Sequence, residues 1–228
     1  MVTGARWGMI MGTVTPMDEC GLNTDLLTLM QWMSPAFPVG GYAYSHGLEQ
    51  AIDDGAITDA DTLFDWLVTV LEHGTGMVDA TLLCLALKGE DMADTARALA
   101  SSKERYQEAE AQGQAFTSAV NGIYGEQTPP APLPVAVGIA ARRLDLIAPQ
   151  VAAHYLHAFA SNLVSAAVRF VPLGQTDGQR VLKRLHGVIE GVAARASQAT
   201  LDDLGSAALG SDMASMRHET MEVRIFKT

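Results

Sequence analysis

Apolar positions recur at intervals of three and four residues through most of this chain, which is the spacing of amphipathic helices. The segment TDLLTLMQWM at 24–33 shows the pattern first. Asn23 or Thr24 can cap its start. The dipeptide Ser34-Pro35 ends it, because the residue before a proline is driven out of the helical region.

Later segments continue the helical pattern. An apolar stripe predicts a helix that begins at Thr58 or Asp59, and an alanine- and leucine-rich stretch predicts a buried helix from Met77 to Leu87 that ends at Gly89. Further helices are predicted at 42–54, at one or two places in 91–120, and at 134–143, 150–170 and 178–198. The sequence therefore predicts an all-α single domain of about eight to ten packed helices.

Three segments depart from this pattern. Residues 1–21 have no clear period and are predicted to form a poorly ordered N-terminal arm, which leaves 22–228 as the helical domain. The stretch TPPAPLP at 128–134 is a proline-rich connector. The tail RHETMEVRIFKT at 217–228 alternates apolar and polar residues, so it is expected to be extended and to dock on its own fold or on a partner.

Composition excludes several classes of protein. The chain has 15 basic and 26 acidic residues, a formal net charge of −11, and no basic run, so a nucleic-acid partner is not expected. Two distant cysteines do not predict a disulfide framework, and no apolar stretch is long enough to be read as a membrane span. The chain is expected to be cytoplasmic.

Enzyme motifs are mostly missing. No lysine follows a glycine, so a phosphate-binding loop of the Walker type is not predicted. Ser45 lies next to His46, but a serine nucleophile needs a strand-to-helix elbow and a positioned base. The sequence therefore favours a protein that is not an enzyme.

One histidine pair keeps an enzymatic alternative open. His154 and His157 are three residues apart on a predicted helix and could share a metal ion. With a carboxylate from elsewhere they would predict a small helical metal-dependent hydrolase. A helical regulatory module unrelated to metals is a third reading.

The stretch SPAFPVGGYAYSHGLEQ at 34–50 concentrates prolines, glycines and polar side chains. If its helix began near Tyr42, then Tyr44 and Leu48 would lie on the buried face, whereas Ser45 and Glu49 would lie on another, polar face. Gly47, inside that helix, would mark a close approach of another backbone. The stretch is either an ordinary connector or a pre-shaped recognition surface.

A second stretch, VPLGQTDGQ at 171–179, precedes a predicted helix. Thr176 and Gln179 have the spacing of a capping box that would open this helix.

Together, SPAFPVGGYAYSHGLEQA, VPLGQTDGQ and RHETMEVRIFKT, in this order and at these separations, resemble the UreF family of urease accessory proteins. The resemblance runs from about Leu26 to Thr228. It implies an all-α fold, a homodimer, and an adaptor that joins UreD (also called UreH) and the GTPase UreG to deliver nickel to apo-urease. It implies no catalytic residue, no metal ligand and no tightly bound cofactor, because nickel is handled by the whole complex.

The resemblance also implies which residues bind partners. They are Pro38, Gly40, Gly41, Tyr44, Ser45, Gly47, Leu48 and Glu49 in the first motif, Gly174 and Gln175 in the second, and His218, Glu219, Arg224 and Phe226 in the third.

Overall fold

Eleven α-helices follow one another along residues 23–227, the part of the chain that this computed structural model describes. They are α1 (Thr24–Trp32), α2 (Leu48–Asp53), α3 (Ala60–His73), α4 (Thr75–Lys88), α5 (Ala93–Ala98), α6 (Lys103–Tyr124), α7 (Leu133–Ala141), α8 (Ala148–Ala167), α9 (Gln175–Arg184), α10 (His186–Gln198) and α11 (Leu209–His218). Single 3-10 turns lie at Gly41–Ala43 and Leu201–Asp203. These residues contain no strand, which confirms the predicted all-α class; the arm predicted at 1–21 lies outside them.

Local signals set several helix ends. The side chain of Asn23 accepts hydrogen bonds from the first turn of α1, and Asp59 does the same for α3, where Thr62 completes a capping box. Gly89 ends α4 with φ +111°, a conformation that glycine adopts without strain. These three ends were predicted from the sequence.

Helix α4 forms the centre of the core. Nine of its residues are buried, from Gly76 to Ala86, because α3, α7, α8 and α10 cover it on several sides. Small side chains allow this close packing. A Cβ atom placed on Gly138 of α7 would lie 2.5 Å from the Leu83 carbonyl oxygen, so α7 approaches the α4 backbone at a distance that only glycine permits.

The stretch Ala60–Lys88 is the one described segment that is long and apolar enough to cross a membrane. It is two helices, α3 and α4, that meet at Gly74, and 67% of its most apolar window is buried inside the protein. The apolar side chains of this stretch therefore pack mainly in the protein core.

Two predicted helices had wrong boundaries, and one helix was missed. The helix predicted at 42–54 begins only at Leu48, the helix predicted at 178–198 is divided between α9 and α10 at Leu185, and α11 was not predicted. The division at Leu185 leaves the apolar spacing of both helices intact, so periodicity alone did not reveal it. Residues 219–227 follow α11 as an irregular tail.

Candidate functional site

The first motif begins as a chain of tight turns rather than as a helix. Gly40, His46 and Gly47 all have positive φ, at 69°, 56° and 74°. A right-handed helix cannot contain such residues. The helix predicted from Tyr42 was therefore wrong, and α2 starts after Gly47.

This late start changes which side chains are buried. Ser45 and Glu49, predicted on a polar face separate from the buried one, are both inside the protein, at 0% and 6% exposure. The Ser45 hydroxyl oxygen lies 3.4 Å from the amide nitrogen of Glu49 and accepts its hydrogen bond. The motif is thus polar on its inner side. A buried side chain such as that of Glu49 needs hydrogen-bonding or charged partners inside the protein.

Helix α11 supplies the surface against which Gly47 packs. A Cβ atom on Gly47 would lie 2.5 Å from the backbone nitrogen of Ser215. The close backbone approach predicted for this glycine is confirmed. Below it, the hydroxyl groups of Ser215 and Ser102 are 2.7 Å apart, which ties α11 to the start of α6.

Glu49 holds the C-terminal tail. Its Oε1 accepts a hydrogen bond from the amide of Ile225 at 2.9 Å, and its Oε2 accepts one from the amide of Phe226 at 3.0 Å. The amide of Lys227 donates to the Ala43 carbonyl oxygen at 2.8 Å. Residues 225–227 are therefore fixed to the first motif by hydrogen bonds that their backbone amides donate.

His218 completes this arrangement from the end of α11. Its side chain is fully buried, with Nε2 at 3.1 Å from Glu49 Oε2 and Nδ1 at 2.7 Å from Glu104 Oε2. Arg224 donates from Nη1 to Glu104 Oε1 at 2.6 Å. Each ring nitrogen of His218 therefore faces an oxygen of a different carboxyl group, and the Arg224 guanidinium faces the remaining oxygen of Glu104. We call Glu49, Glu104, His218 and Arg224 the tail clamp.

The tail side chains divide between the core and the solvent. Phe226 is buried against Phe170, with ring centres 5.4 Å apart, and Glu219 accepts a hydrogen bond from the Lys103 amide at 2.8 Å. Val223 and Ile225 are 77% and 70% exposed. The tail therefore docks on its own fold and leaves two apolar side chains facing outward.

The first and third motifs thus form one structure, but the second motif takes no part in the clamp. Gly174 and Gln175 are exposed at the start of α9, which Gly174 precedes as the N-cap without a side-chain hydrogen bond. The capping box predicted from Thr176 and Gln179 was wrong, since the helix has already begun at Gln175.

A second buried polar cluster lies beside the clamp and is formed by His46, Asp79, Arg105, Glu108 and Tyr155; we call it the inner cluster. His46 Nε2 lies 2.8 Å from Glu108 Oε1, and Arg105 forms an ion pair with Glu108. Tyr155 donates its hydroxyl proton to Asp79 Oδ2 at 2.8 Å. The cluster joins α4, α6 and α8 to the first motif.

Burial and charge shift the pKa values of this cluster in opposite directions. Burial raises the pKa of Asp79 to about 6, and Arg105 only partly offsets it. Burial also opposes ionisation of Glu108, but the charge of Arg105 and the contact with His46 overcome it and lower its pKa to about 2. Burial and Arg105 lower the pKa of His46. Glu108 is therefore the charged carboxylate of the pair formed with Arg105.

The inner cluster lines a cavity of about 610 Å³ between α1, α6, α7, α8 and α10. Its walls are mainly apolar and include Trp32 and Phe116. The Nδ1 atom of His46 is buried and has no hydrogen-bond partner among the described residues. The cavity thus combines an apolar lining with a small number of polar groups, as binding cavities do.

His154 and His157, which the sequence suggested could share a metal ion, have different neighbours in the structure. His154 Nδ1 is bonded to the Gln150 carbonyl oxygen at 2.8 Å, whereas His157 faces His186 with ring centres 5.6 Å apart. The described residues contain no group of three or more His, Cys, Asp or Glu side chains placed to hold a metal ion. This arrangement does not supply the completed ligand set that a metal-dependent hydrolase requires.

Sequence reasoning missed four charged residues of these clusters, namely Asp79, Glu104, Arg105 and Glu108. Three of the four lie in 91–120, a stretch whose many charged residues are typical of exposed helices. A signal was present, however: Glu104 and Glu108 continue, at intervals of four, the row that contains the buried residues Phe116 and Val120. A charged residue in register with an apolar stripe is a candidate for burial.

Comparison with known proteins relates most of this chain to one family. The family model of UreF matches residues 57–186. A protein named urease accessory protein UreF from Cereibacter sphaeroides is 57% identical over 210 residues, which cover 91% of this chain and 100% of the relative. Proteins of the same name from Dinoroseobacter shibae and Bradyrhizobium diazoefficiens are 48% and 46% identical, over 89% of this chain and 98% and 91% of their own lengths.

Proposed function

Because this chain belongs to the UreF family of urease accessory proteins, we propose that it is the adaptor that bridges UreD (UreH) and the GTPase UreG and helps to deliver nickel into apo-urease. An accessory protein of this family serves urease maturation and is not an enzyme. The identity of the partners and the nickel cargo are the parts that we propose.

The tail clamp is the observation that carries this proposal. It joins residues 43–49 to residues 218–227, which are far apart in sequence, into one rigid surface. A free chain end loses much conformational entropy when it binds a partner. A tail that is already fixed avoids that loss, so the clamp is suited to presenting a docking surface.

Exposed apolar side chains mark the outer side of this surface. Val223 and Ile225 extend from the clamped tail, and Tyr42 extends from the first motif at 67% exposure. Such side chains are stabilised when a partner covers them. We assign this surface to UreD, and we assign positioning roles to the buried motif residues Ser45, Leu48, Glu49, His218 and Phe226.

The remaining features of the proposal concern the working form of the protein. We propose a cytoplasmic homodimer without a tightly bound cofactor, in which nickel is cargo of the complex. The acidic balance of the chain, a net charge of −11, supports the handling of a cation, because it raises the local concentration of positive ions.

Co-purification with UreD and UreG, followed by activation of apo-urease with nickel, tests the proposal. We expect a stable complex, and we expect activation only when this chain is present. The substitution Ile225→Glu should weaken the complex at least about tenfold, because it introduces a charge into an apolar contact. Ile147→Glu is the matched control, since Ile147 is similarly exposed, at 65%, but lies outside the clamped surface.

Two results would overturn the proposal. One is the absence of any complex or activation with the unaltered chain. The other is equal loss of binding in Ile225→Glu and Ile147→Glu, which would show that the clamped tail is not the docking surface.

A further inference from the structure

The geometry points to an exchangeable site for a divalent transition-metal ion, formed by His157 and His186 at the rim of the cavity. His157 lies on α8, and His186 is the first residue of α10. Their ring centres are 5.6 Å apart with an angle of 59° between the ring planes. Both side chains are exposed and line the cavity, so an ion can reach them from solvent.

The separation suits a shared ion. Imidazole nitrogens coordinate Zn²⁺ at about 2.0–2.1 Å, so two rings that share one such ion have their centres about 5–6 Å apart, as these two rings do. Exposed histidines can rotate about their side-chain bonds to direct their nitrogens to the same point. The well-packed helices α8 and α10 hold the two backbones at a fixed distance.

An acidic residue lines the same cavity as the pair. Glu190 is one helical turn after His186 on α10 and lines the same cavity. A residue four positions along a helix lies on the same face. Its negative charge attracts a cation to the histidines.

The site is weak by construction. Two imidazoles leave the other coordination positions of the ion to water, and the described residues contain no set of three metal-binding side chains placed around one point. An ion held in this way exchanges readily. Imidazole ligands select Ni²⁺, Cu²⁺, Co²⁺ or Zn²⁺ over Mg²⁺ or Ca²⁺.

This inference stands on the histidine geometry and needs no partner protein; only the assignment of Ni²⁺ as the physiological ion rests on the proposed function. Its failure would leave the formation of a complex with UreD and UreG untouched. Failure of that complex, in turn, would leave the metal site intact.

The experiment uses the full chain with any affinity tag removed, titrated with NiCl₂ and followed by the side-chain ¹H–¹⁵N signals of its six histidines. Paramagnetic Ni²⁺ should broaden the signals of His157 and His186 first and together. His157→Gln and His186→Gln should each lower the Ni²⁺ affinity at least about tenfold. In the unaltered chain the fold holds the second histidine close to an ion that the first has bound, and each variant removes this second ligand. His73→Gln, at an exposed histidine outside the cavity, should change the affinity less than twofold.

Circular dichroism is the control for folding of the variants. We expect all of them to fold, because the substituted positions are exposed. The inference is overturned if Ni²⁺ broadens the other histidine signals before those of His157 and His186. It is also overturned if His157→Gln binds Ni²⁺ as tightly as the unaltered chain, or if His73→Gln weakens binding as much as His157→Gln does.

Discussion

Glu49 accepts a hydrogen bond from His218 at 3.1 Å across 169 positions of the chain. The contact joins the first turn of α2 to the last residue of α11. Both side chains are buried, and each has further charged or backbone partners. The first and last motifs of the sequence are therefore one structural unit, and its energetics can be tested directly.

Removal of the Glu49 carboxylate should destabilise the protein strongly. Glu49→Ala leaves the buried His218 ring and two tail amides without their acceptor, and removing one partner of such a buried contact costs about 3–5 kcal/mol. Glu49→Gln retains one acceptor oxygen, so its free energy of unfolding should lie between those of the unaltered protein and Glu49→Ala. The free energy of unfolding in urea measures the effect, and Glu222→Ala, an exposed tail glutamate, should change it by less than about 0.5 kcal/mol. A Glu49→Ala protein as stable as this control would contradict the clamp.

Replacing Gly47 by alanine should destabilise the protein, whereas replacing Gly191 by alanine should stabilise it. Gly47→Ala places a Cβ atom 2.5 Å from the Ser215 nitrogen at a φ of +74°, and the left-handed conformation alone costs about 1–2 kcal/mol. Gly191→Ala lies in the exposed middle of α10 with no atom in contact, so it should stabilise the protein by about 0.5–1 kcal/mol. Melting temperatures should therefore shift in opposite directions. Shifts of the same sign would show that α2 and α11 are less closely packed than the structure indicates.

Phe226 should hold the tail in place. Phe226→Ala removes the ring that packs on Phe170, so the tail should detach more often than the whole protein unfolds. Hydrogen exchange at the amides of Ile225 and Phe226, which donate to Glu49, should accelerate at least about tenfold, as a loss of about 1.4 kcal/mol in local stability implies. Val223→Ala is the control, because Val223 is exposed and should leave both exchange rates unchanged. Equal exchange rates in the two variants would refute an anchoring role of Phe226.

The raised pKa of Asp79 predicts a specific pH dependence. Its pKa is about 6 in the folded protein against an ordinary value of 3.8, so the folded state binds the proton more tightly than the unfolded state. The contribution to stability is present in full below about pH 4 and is lost as the pH rises through 6. The difference between a pKa of 3.8 and one of about 6 corresponds to about 3 kcal/mol.

Asp79→Asn removes this titration and can still accept the hydrogen bond from Tyr155. The stability of the unaltered protein relative to Asp79→Asn should thus fall by about 3 kcal/mol between pH 4 and pH 7. Urea unfolding at a series of pH values gives the difference, with Asp65→Asn as an exposed control. A difference that is constant with pH would show that Asp79 is not desolvated by the fold.

Local sequence signals determined most of the helices. Apolar residues located α1, α3, α4, α7 and α8, and the ends at Asn23, Asp59 and Gly89 followed from residues at or within a few positions of the end they set. Capping and amphipathic spacing depend on neighbouring residues only, so they can be read without the tertiary structure. The same is true of the three motifs that indicated the family.

The positions of the polar side chains were decided by the tertiary structure. Whether Glu49 lies inside or outside depends on α6, α11 and the tail, which are 54 or more residues away from it along the chain. The sequence shows that Glu49 and His218 can pair, but it does not show that they meet. Burial of a charge is stable only when its partners arrive from other elements, and those contacts exist only in the folded chain.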